Sequence, residues 1–337
     1  MITRRSPASA GRSTLAAPPR PSLAVLCGVL VLAALWRGWL GPALDVAAVR
    51  TGATVFVAVC VQALPFLVLG VVVSGAIAAI VPAGLTRRLL PRNEIAAVGV
   101  AGLAGIALPG CECASVPVAR RLMRQGVPVP VALAFLLAAP AVNPVVLVAT
   151  AVAFPGVPSL VLARFLGSLG TSVVVGWLWA RFGREEWVAG RAVVPDRPSG
   201  SRWAVFVATA RSDLVDSGGF LVLGASAAAC LNVLLPSSWL WAVGRSPVLG
   251  VVVLAVLAVV LALCSAADSF VAASLATLPL LPRLVFLVVG PAVDVKLIAL
   301  QAGTFGRAFA ARFAPLTFVV AVCVSVAVGL CVLGGYR

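Results

Sequence analysis

Two diverged copies of one apolar unit make up most of this chain, and that duplication constrains its fold more than any other feature. Phe66-Leu-Val-Leu-Gly70 returns 154 residues later as Phe220-Leu-Val-Leu-Gly224, and twelve residues after each glycine comes a proline, Pro82 and Pro236. Phe135-Leu-Leu-Ala-Ala-Pro140-Ala-Val-Asn143 is answered by Phe286-Leu-Val-Val-Gly-Pro291-Ala-Val-Asp294 at an offset of 151. Between them Cys111 falls opposite Cys264, and Val118-Ala119 opposite Val271-Ala272, at 153. Secondary transporters are commonly built from such repeats, with the substrate site where the copies meet.

Composition names the solvent. Hydrophobic residues are 62% of the chain and charged residues 10%, against about 45–50% and about 25% in soluble domains. Apolar runs long enough to cross hydrocarbon, about 20 residues each, lie near 22–40, 52–81, 95–109, 128–153, 157–180, 212–235, 247–265, 284–302 and 314–335. The expected fold is an all-α polytopic membrane protein, and the lipid bilayer is its first partner. The net charge of +15 belongs to arginines at helix ends and in short loops, where they set membrane orientation, so no nucleic-acid partner is expected. The run from Leu23 ends in Trp36, Arg37 and Trp39 without a small-residue cleavage site, and is read as a retained helix.

These boundaries predict a basic cytoplasmic N-terminus at 1–21, an extra transmembrane helix at 22–50, a first repeat at 51–180, a basic cytoplasmic linker at 181–203 and a second repeat at 204–337. If every apolar run crosses fully, Arg120, Arg121, Arg124 and the linker arginines fall outside the cell. If instead 95–125 enters, breaks at Pro109-Gly110-Cys111 and returns, they fall inside, as the positive-inside rule requires. The same treatment of 247–282, broken at Cys264-Ser-Ala-Ala-Asp268, gives each copy three spanning helices and a broken re-entrant hairpin. An odd number of crossings inverts the second copy; two parallel repeats with full spans are the alternative. Broken backbone at membrane depth needs cover from protein or a water-filled cavity, so both breaks should face inward.

Ionisable groups in hydrocarbon are costly and mark function by default. Glu112 stands at the first break and Asp268 at the second, while Asp294 and Lys296 lie in the second copy's core helix. Asn143 is the counterpart of Asp294, and Gln62 that of Asp216. On an unbroken helix Asp294 and Lys296 would diverge by about 200°, so Lys296 is expected to pair with Asp268 or Glu112 unless Pro291 opens the helix. A structural ion pair is the plainer reading. Arg164 is either a structural partner or snorkels to the interface, and Asp213 and Asp216 read first as helix-start residues.

Cys111 and Cys113 flank Glu112 behind Pro109-Gly110. In a turn, two such thiols converge, which suits a soft metal, a trivalent arsenical or a disulfide; Cys264 would supply a third thiol. The alternative is that all are packing residues, the commoner use of a free cysteine. The chain has no histidine, hence no imidazole ligand or proton relay. No phosphate-binding glycine loop is present, and no cofactor or catalytic set is expected. Glu112, Asp268 and Asp294 are candidate proton carriers, since burial raises a carboxyl toward neutral pH.

Four blocks together resemble a known family: Pro109-Gly-Cys111-Glu-Cys113-Ala-Ser115-Val-Pro117, Phe135-Leu-Leu-Ala-Ala-Pro140-Ala-Val-Asn143-Pro, Cys264-Ser-Ala-Ala-Asp268-Ser-Phe, and Gly290-Pro291-Ala-Val-Asp294-Val-Lys296. Over roughly 50–335 the chain is similar to the predicted permease family that includes the organoarsenical-efflux permeases. The resemblance implies a plasma-membrane permease with the Cys-x-Cys motif near the transport path. Members of that family usually carry Ser between the two cysteines, where this chain has Glu112. The expected substrate-binding set is Cys111, Glu112, Cys113, Ser115, Asn143, Cys264, Asp268, Asp294 and Lys296, with Cys111 and Cys113 as the metal-binding pair. The expected function is movement of a small thiophilic solute, an organoarsenical, soft metal or thiol-linked species, across the plasma membrane by alternating access, in either direction. The alternatives are a membrane redox relay through Cys111 and Cys113, or a membrane subunit of a larger complex, with a second copy or another membrane protein as companion.

Overall fold

The computed structural model describes residues 47–80, 90–91, 93–107, 112–188, 201–234, 247–275 and 278–334. The basic N-terminus, nearly all of the predicted extra helix, the Pro109–Cys111 break, most of the linker and the Gln62 side chain lie outside the described residues.

Twelve α-helices and no strand are found among the described residues. The first six are α1 (Ala47–Ile80), α2 (Glu94–Ala104), α3 (Glu112–Arg124), α4 (Val129–Ala138), α5 (Pro144–Ala153) and α6 (Pro158–Phe182). The second six are α7 (Arg202–Leu234), α8 (Pro247–Leu261), α9 (Ser265–Ser274), α10 (Leu280–Ala292), α11 (Val295–Phe305) and α12 (Arg307–Val332). Five segments are long and apolar enough to cross a membrane: Val49–Ile80, Pro158–Phe182, Arg202–Cys230, Leu280–Phe305 and Arg307–Val332.

Short polar and proline-rich sequences punctuate these helices. Asn93, Asn143 and Asp294 each cap a helix start, their side-chain oxygens accepting from Ile95, Val146 and Leu297 backbone amides, which satisfies donors that have no partner within the helix. Pro144 and Pro158 open α5 and α6, where a missing amide costs nothing. Gly306, at φ 106°, turns the chain from α11 into α12, a conformation glycine adopts without steric penalty.

Packing recurs between the two sets of six. The pairs α2–α4, α4–α6 and α3–α4 return as α8–α10, α10–α12 and α9–α10. Across the sets, α3 packs on α11, α5 on α9, α6 on α12, and α1 on α7. Helix α4 is apolar on every side, α10 is apolar but for Arg283 near its start, and both are almost wholly buried, as helices lacking a polar face must be. Around them lie the two hydrophobic clusters of the core.

The repeated glycines are contact points. A Cβ on Gly70 would stand 2.5 Å from the Ala114 Cα of α3, and one on Gly224 would stand 2.5 Å from the Lys296 Cα of α11. Each glycine therefore lets a long helix, α1 or α7, press against backbone at the middle of the bundle.

Candidate functional site

Four half-helices begin at polar residues in the bundle interior: α3 at Glu112, α9 behind Cys264, α5 behind Asn143 and α11 behind Asp294. The first is preceded by residues outside the description; the second hairpin breaks at Ala262–Cys264, just ahead of the predicted Cys264–Asp268, which instead forms the cap and first turn of α9. The core helices break too. Ala139–Asn143 separates α4 from α5, and Val293 with Asp294, both extended, separates α10 from α11.

Lys296 is the centre of this arrangement. Its Nζ stands 2.5 Å from Glu112 Oε1 and 3.6 Å from Asp294 Oδ2, and it donates to the carbonyls of Ala262 at 2.9 Å and Leu263 at 3.1 Å. Those carbonyls follow the last turn of α8, the negative end of a helix, where a cation is favoured. Ala262 holds φ 48°, a left-handed conformation that costs a non-glycine residue of order 1 kcal/mol and persists where its surroundings enforce it. Glu112 was one of the two expected partners of Lys296, and Asp294 also comes within reach because the helix opens at Val293. An intact helix would have carried its carboxylate to another face.

A second polar group surrounds Arg164 of α6. Nη1 donates to the Thr150 hydroxyl at 2.5 Å and the Ser269 hydroxyl at 2.6 Å, and Nη2 to the Ser265 carbonyl at 2.7 Å. Arg164 is wholly buried, so it does not snorkel: the hydroxyls of α5 and α9 solvate it inside the bundle. The electrostatic neighbours of Asp268 are Arg164, Glu112, Lys296 and Asp294, which joins the two groups. Glu112, Asp268, Asp294, Lys296 and Arg164 are each 3% exposed or less. Among them three carboxylates face two cations.

Of the remaining expected residues, Cys113 and Cys264 are buried; Cys113 neighbours Lys296 and Cys264 neighbours Arg164 electrostatically. Cys111 lies outside the described residues. Ser115 donates to the Glu112 carbonyl of its own helix at 2.9 Å, and Asn143 divides its amide between the Val146 amide and the Ala139 carbonyl, both at 3.0 Å. Both are thus engaged locally. No group of three or more Cys, Asp and Glu spaced for a metal ion occurs among the described residues.

Asp213 and Asp216 correct the sequence reading. Helix α7 starts at Arg202 rather than near residue 212, so both carboxylates lie in mid-helix. The Ser74 hydroxyl donates to Asp213 at 2.6 Å, and Arg120 Nη1 lies 3.6 Å from Asp213 and 3.5 Å from Asp216. This network ties α1, α3 and α7 together near the C-terminal end of α3. Its signal in the sequence is faint, an Arg at the end of one re-entrant hairpin with only Ala273 at the equivalent position of the other.

A family profile described as "Predicted permease" matches residues 49–330. A Streptococcus mutans protein named "Putative two-component membrane permease complex subunit" is 30% identical over 284 residues, covering 82% of this chain and 94% of that protein. The Bacillus subtilis UPF0718 protein YcgR is 32% identical over 279 residues, covering 80% of this chain and 93% of that protein. No solved structure matches. With its apolar spanning helices and a family match over most of its length, the chain belongs to the predicted permease family and is a multi-pass membrane protein.

Proposed function

We propose that the chain is a secondary-transporter-type permease that moves a small thiophilic solute, an organoarsenical, soft metal or thiol-linked species, across the plasma membrane by alternating access. The observation that carries this reading is the buried Lys296–Glu112 pair at 2.5 Å. It joins α3 of the first six helices to α11 of the second, where both begin in mid-bundle, and a charge pair in that position is a device for transport rather than for stability. The packing that recurs between the two sets supports a duplicated unit; an inverted second copy with a cytoplasmic N-terminus is the arrangement that places the most arginines inside.

In this mechanism the solute enters between the two hairpins and meets Cys113 and Cys264, and Cys111 immediately precedes Glu112 in the sequence. Thiolates select soft cargo. Binding there competes with the charges that hold α3 against α11, and the hairpins and broken core helices re-pack to open the opposite side. The test is flux into proteoliposomes of labelled Zn²⁺, Cu(I) and a trivalent organoarsenical, comparing wild type with Cys113→Ser/Cys264→Ser. Flux of one soft solute that the double variant loses supports the proposal; flux of none by the wild type sinks it.

The name of the Streptococcus relative favours a second reading, that this chain too works as one subunit of a two-component permease. Flux that arises only when a second membrane protein co-purifies would select it.

A further inference from the structure

We propose that Asp268 is the site at which this permease takes up and releases a coupling proton. The proposal rests on the transport reading above, and it singles out one of three buried carboxylates. Glu112 has the Lys296 ammonium at 2.5 Å. Asp294 accepts from the Leu297 amide at 2.6 Å through Oδ1 and faces Lys296 at 3.6 Å through Oδ2. Buried oxygens without a hydrogen-bond partner occur on all three, Glu112 Oε2, Asp294 Oδ2 and Asp268 Oδ2. Asp268 differs in having neither an ammonium within ion-pair distance nor a backbone amide on its carboxylate among the described residues.

Arg164 does not answer it. Arg164 spends both terminal nitrogens on Thr150, Ser269 and the Ser265 carbonyl, so it clamps the first turn of α9 and leaves Asp268 as a through-space neighbour. On the other side the carboxylate lies against bare backbone, since a Cβ on Gly290 would stand 2.6 Å from Oδ2. A charge buried without a partner is strongly unfavourable and is relieved by neutralisation. One oxygen suffices for a proton, whereas a hard metal cation takes about six oxygen ligands, and no group of three or more Cys, Asp and Glu placed for a metal ion occurs among the described residues.

The charged and titratable surroundings are sparse. Arg164 faces Asp268 from α6, Glu112 from α3, and Lys296 and Asp294 from α11; Cys264 caps its own helix. The two helices packed most closely on α9 are α5 and α10. They present the Thr150 hydroxyl and the Gly290 backbone there, with no titratable group. The step is a simple one: a proton from the exposed side adds to the Asp268 carboxylate, the neutral carboxyl crosses with the re-packing hairpin, and the proton leaves to the other side. Because α10 ends at the Val293–Asp294 break, movement of α9 along Gly290 is transmitted to the segment that carries Lys296.

The experiment is infrared spectroscopy of the purified full chain in lipid, following the carbonyl stretch of protonated carboxylic acid over about pH 5–9, the range that burial can give a carboxyl. Wild type should show a band that titrates within that range, and Asp268→Asn should lose it. Should Asp268→Asn fail to fold, Asp268→Glu should shift the band's frequency. Persistence of an unshifted band in either variant, or no titrating band in wild type, overturns the assignment. So does displacement of the band by Na⁺ at constant pH, which would make this a metal-cation site. Absence of solute flux in proteoliposomes would count against the transport reading alone, since the band is read without any solute.

Discussion

Lys296 and Glu112 are 184 positions apart in the sequence and 2.5 Å apart in the bundle. Each sits at the start of a half-helix, so one ion pair fixes two breaks against each other. Removing one partner strands the other in a dry interior, which costs about 3–5 kcal/mol, whereas removing both together costs far less. Glu112→Gln and Lys296→Met should each lower stability by about that amount, and the double variant should recover part of the loss. Chemical unfolding in detergent, arranged as a double-mutant cycle, reads the coupling; strictly additive losses would mean that the pair does not act as one.

The glycines of the repeated pentapeptide make a prediction about packing. Gly70→Ala pushes a methyl into the Ala114 backbone, and Gly224→Ala into that of Lys296. Neither neighbour is a flexible side-chain end, so the helices must separate, and overpacking of this kind costs about 1–3 kcal/mol. Both variants should unfold earlier. Gly224→Ala should also impair transport more than Gly70→Ala, because it displaces the lysine itself; equal transport by both would refute that link.

Far from this centre, Arg120 reaches Asp213 and Asp216 while Ser74 donates to Asp213. A hydrogen bond to a buried carboxylate is worth about 1.5–3 kcal/mol. Ser74→Ala should therefore cost about that much, and Arg120→Ala more, since it also unties α3 from α7. Arg120→Lys should restore part of the loss, because the single nitrogen Nη1 meets both carboxylates and an ammonium can carry the same charge there. Thermal unfolding of the three variants decides the order, and a silent Arg120→Ala would show that the network carries no weight.

How much of this was legible in the sequence varies with the kind of information involved. The second hairpin break near Cys264 and the family resemblance follow from local residue type, while the interruptions that start new helices after Asn143 and Asp294 divide runs that read as continuous in the sequence. Contacts across the bundle are not legible there. Arg164 has no neighbour in sequence that hints at Thr150 and Ser269, because the contact depends on how α5, α6 and α9 stack. Asp213 and Asp216 misled for a physical reason: Arg202, Arg211 and the two aspartates dilute the hydropathy of the first half of α7, so the apolar run begins ten residues after the helix does. Their charges are tolerated within that span because Arg120 meets both and Ser74 meets Asp213.

Gly290 offers the cleanest separation of function from stability. Alanine is the better helix former by up to about 1 kcal/mol, and Gly290 lies in the last turn of α10, so Gly290→Ala gains in propensity part of what it loses in crowding. Its new methyl would meet Asp268 Oδ2 at 2.6 Å and Cγ at 3.3 Å, forcing the carboxyl to rotate away from the α10 backbone. The loss of unfolding free energy should lie at the low end of the range of about 1–3 kcal/mol that overpacking costs, because the crowded atom is a side-chain end rather than backbone. Flux should fall nonetheless, and the carboxylic-acid band assigned to Asp268 should shift. If Gly290→Ala transports normally with an unshifted band, the close approach of Asp268 to α10 is packing alone, and the coupling step does not run through it.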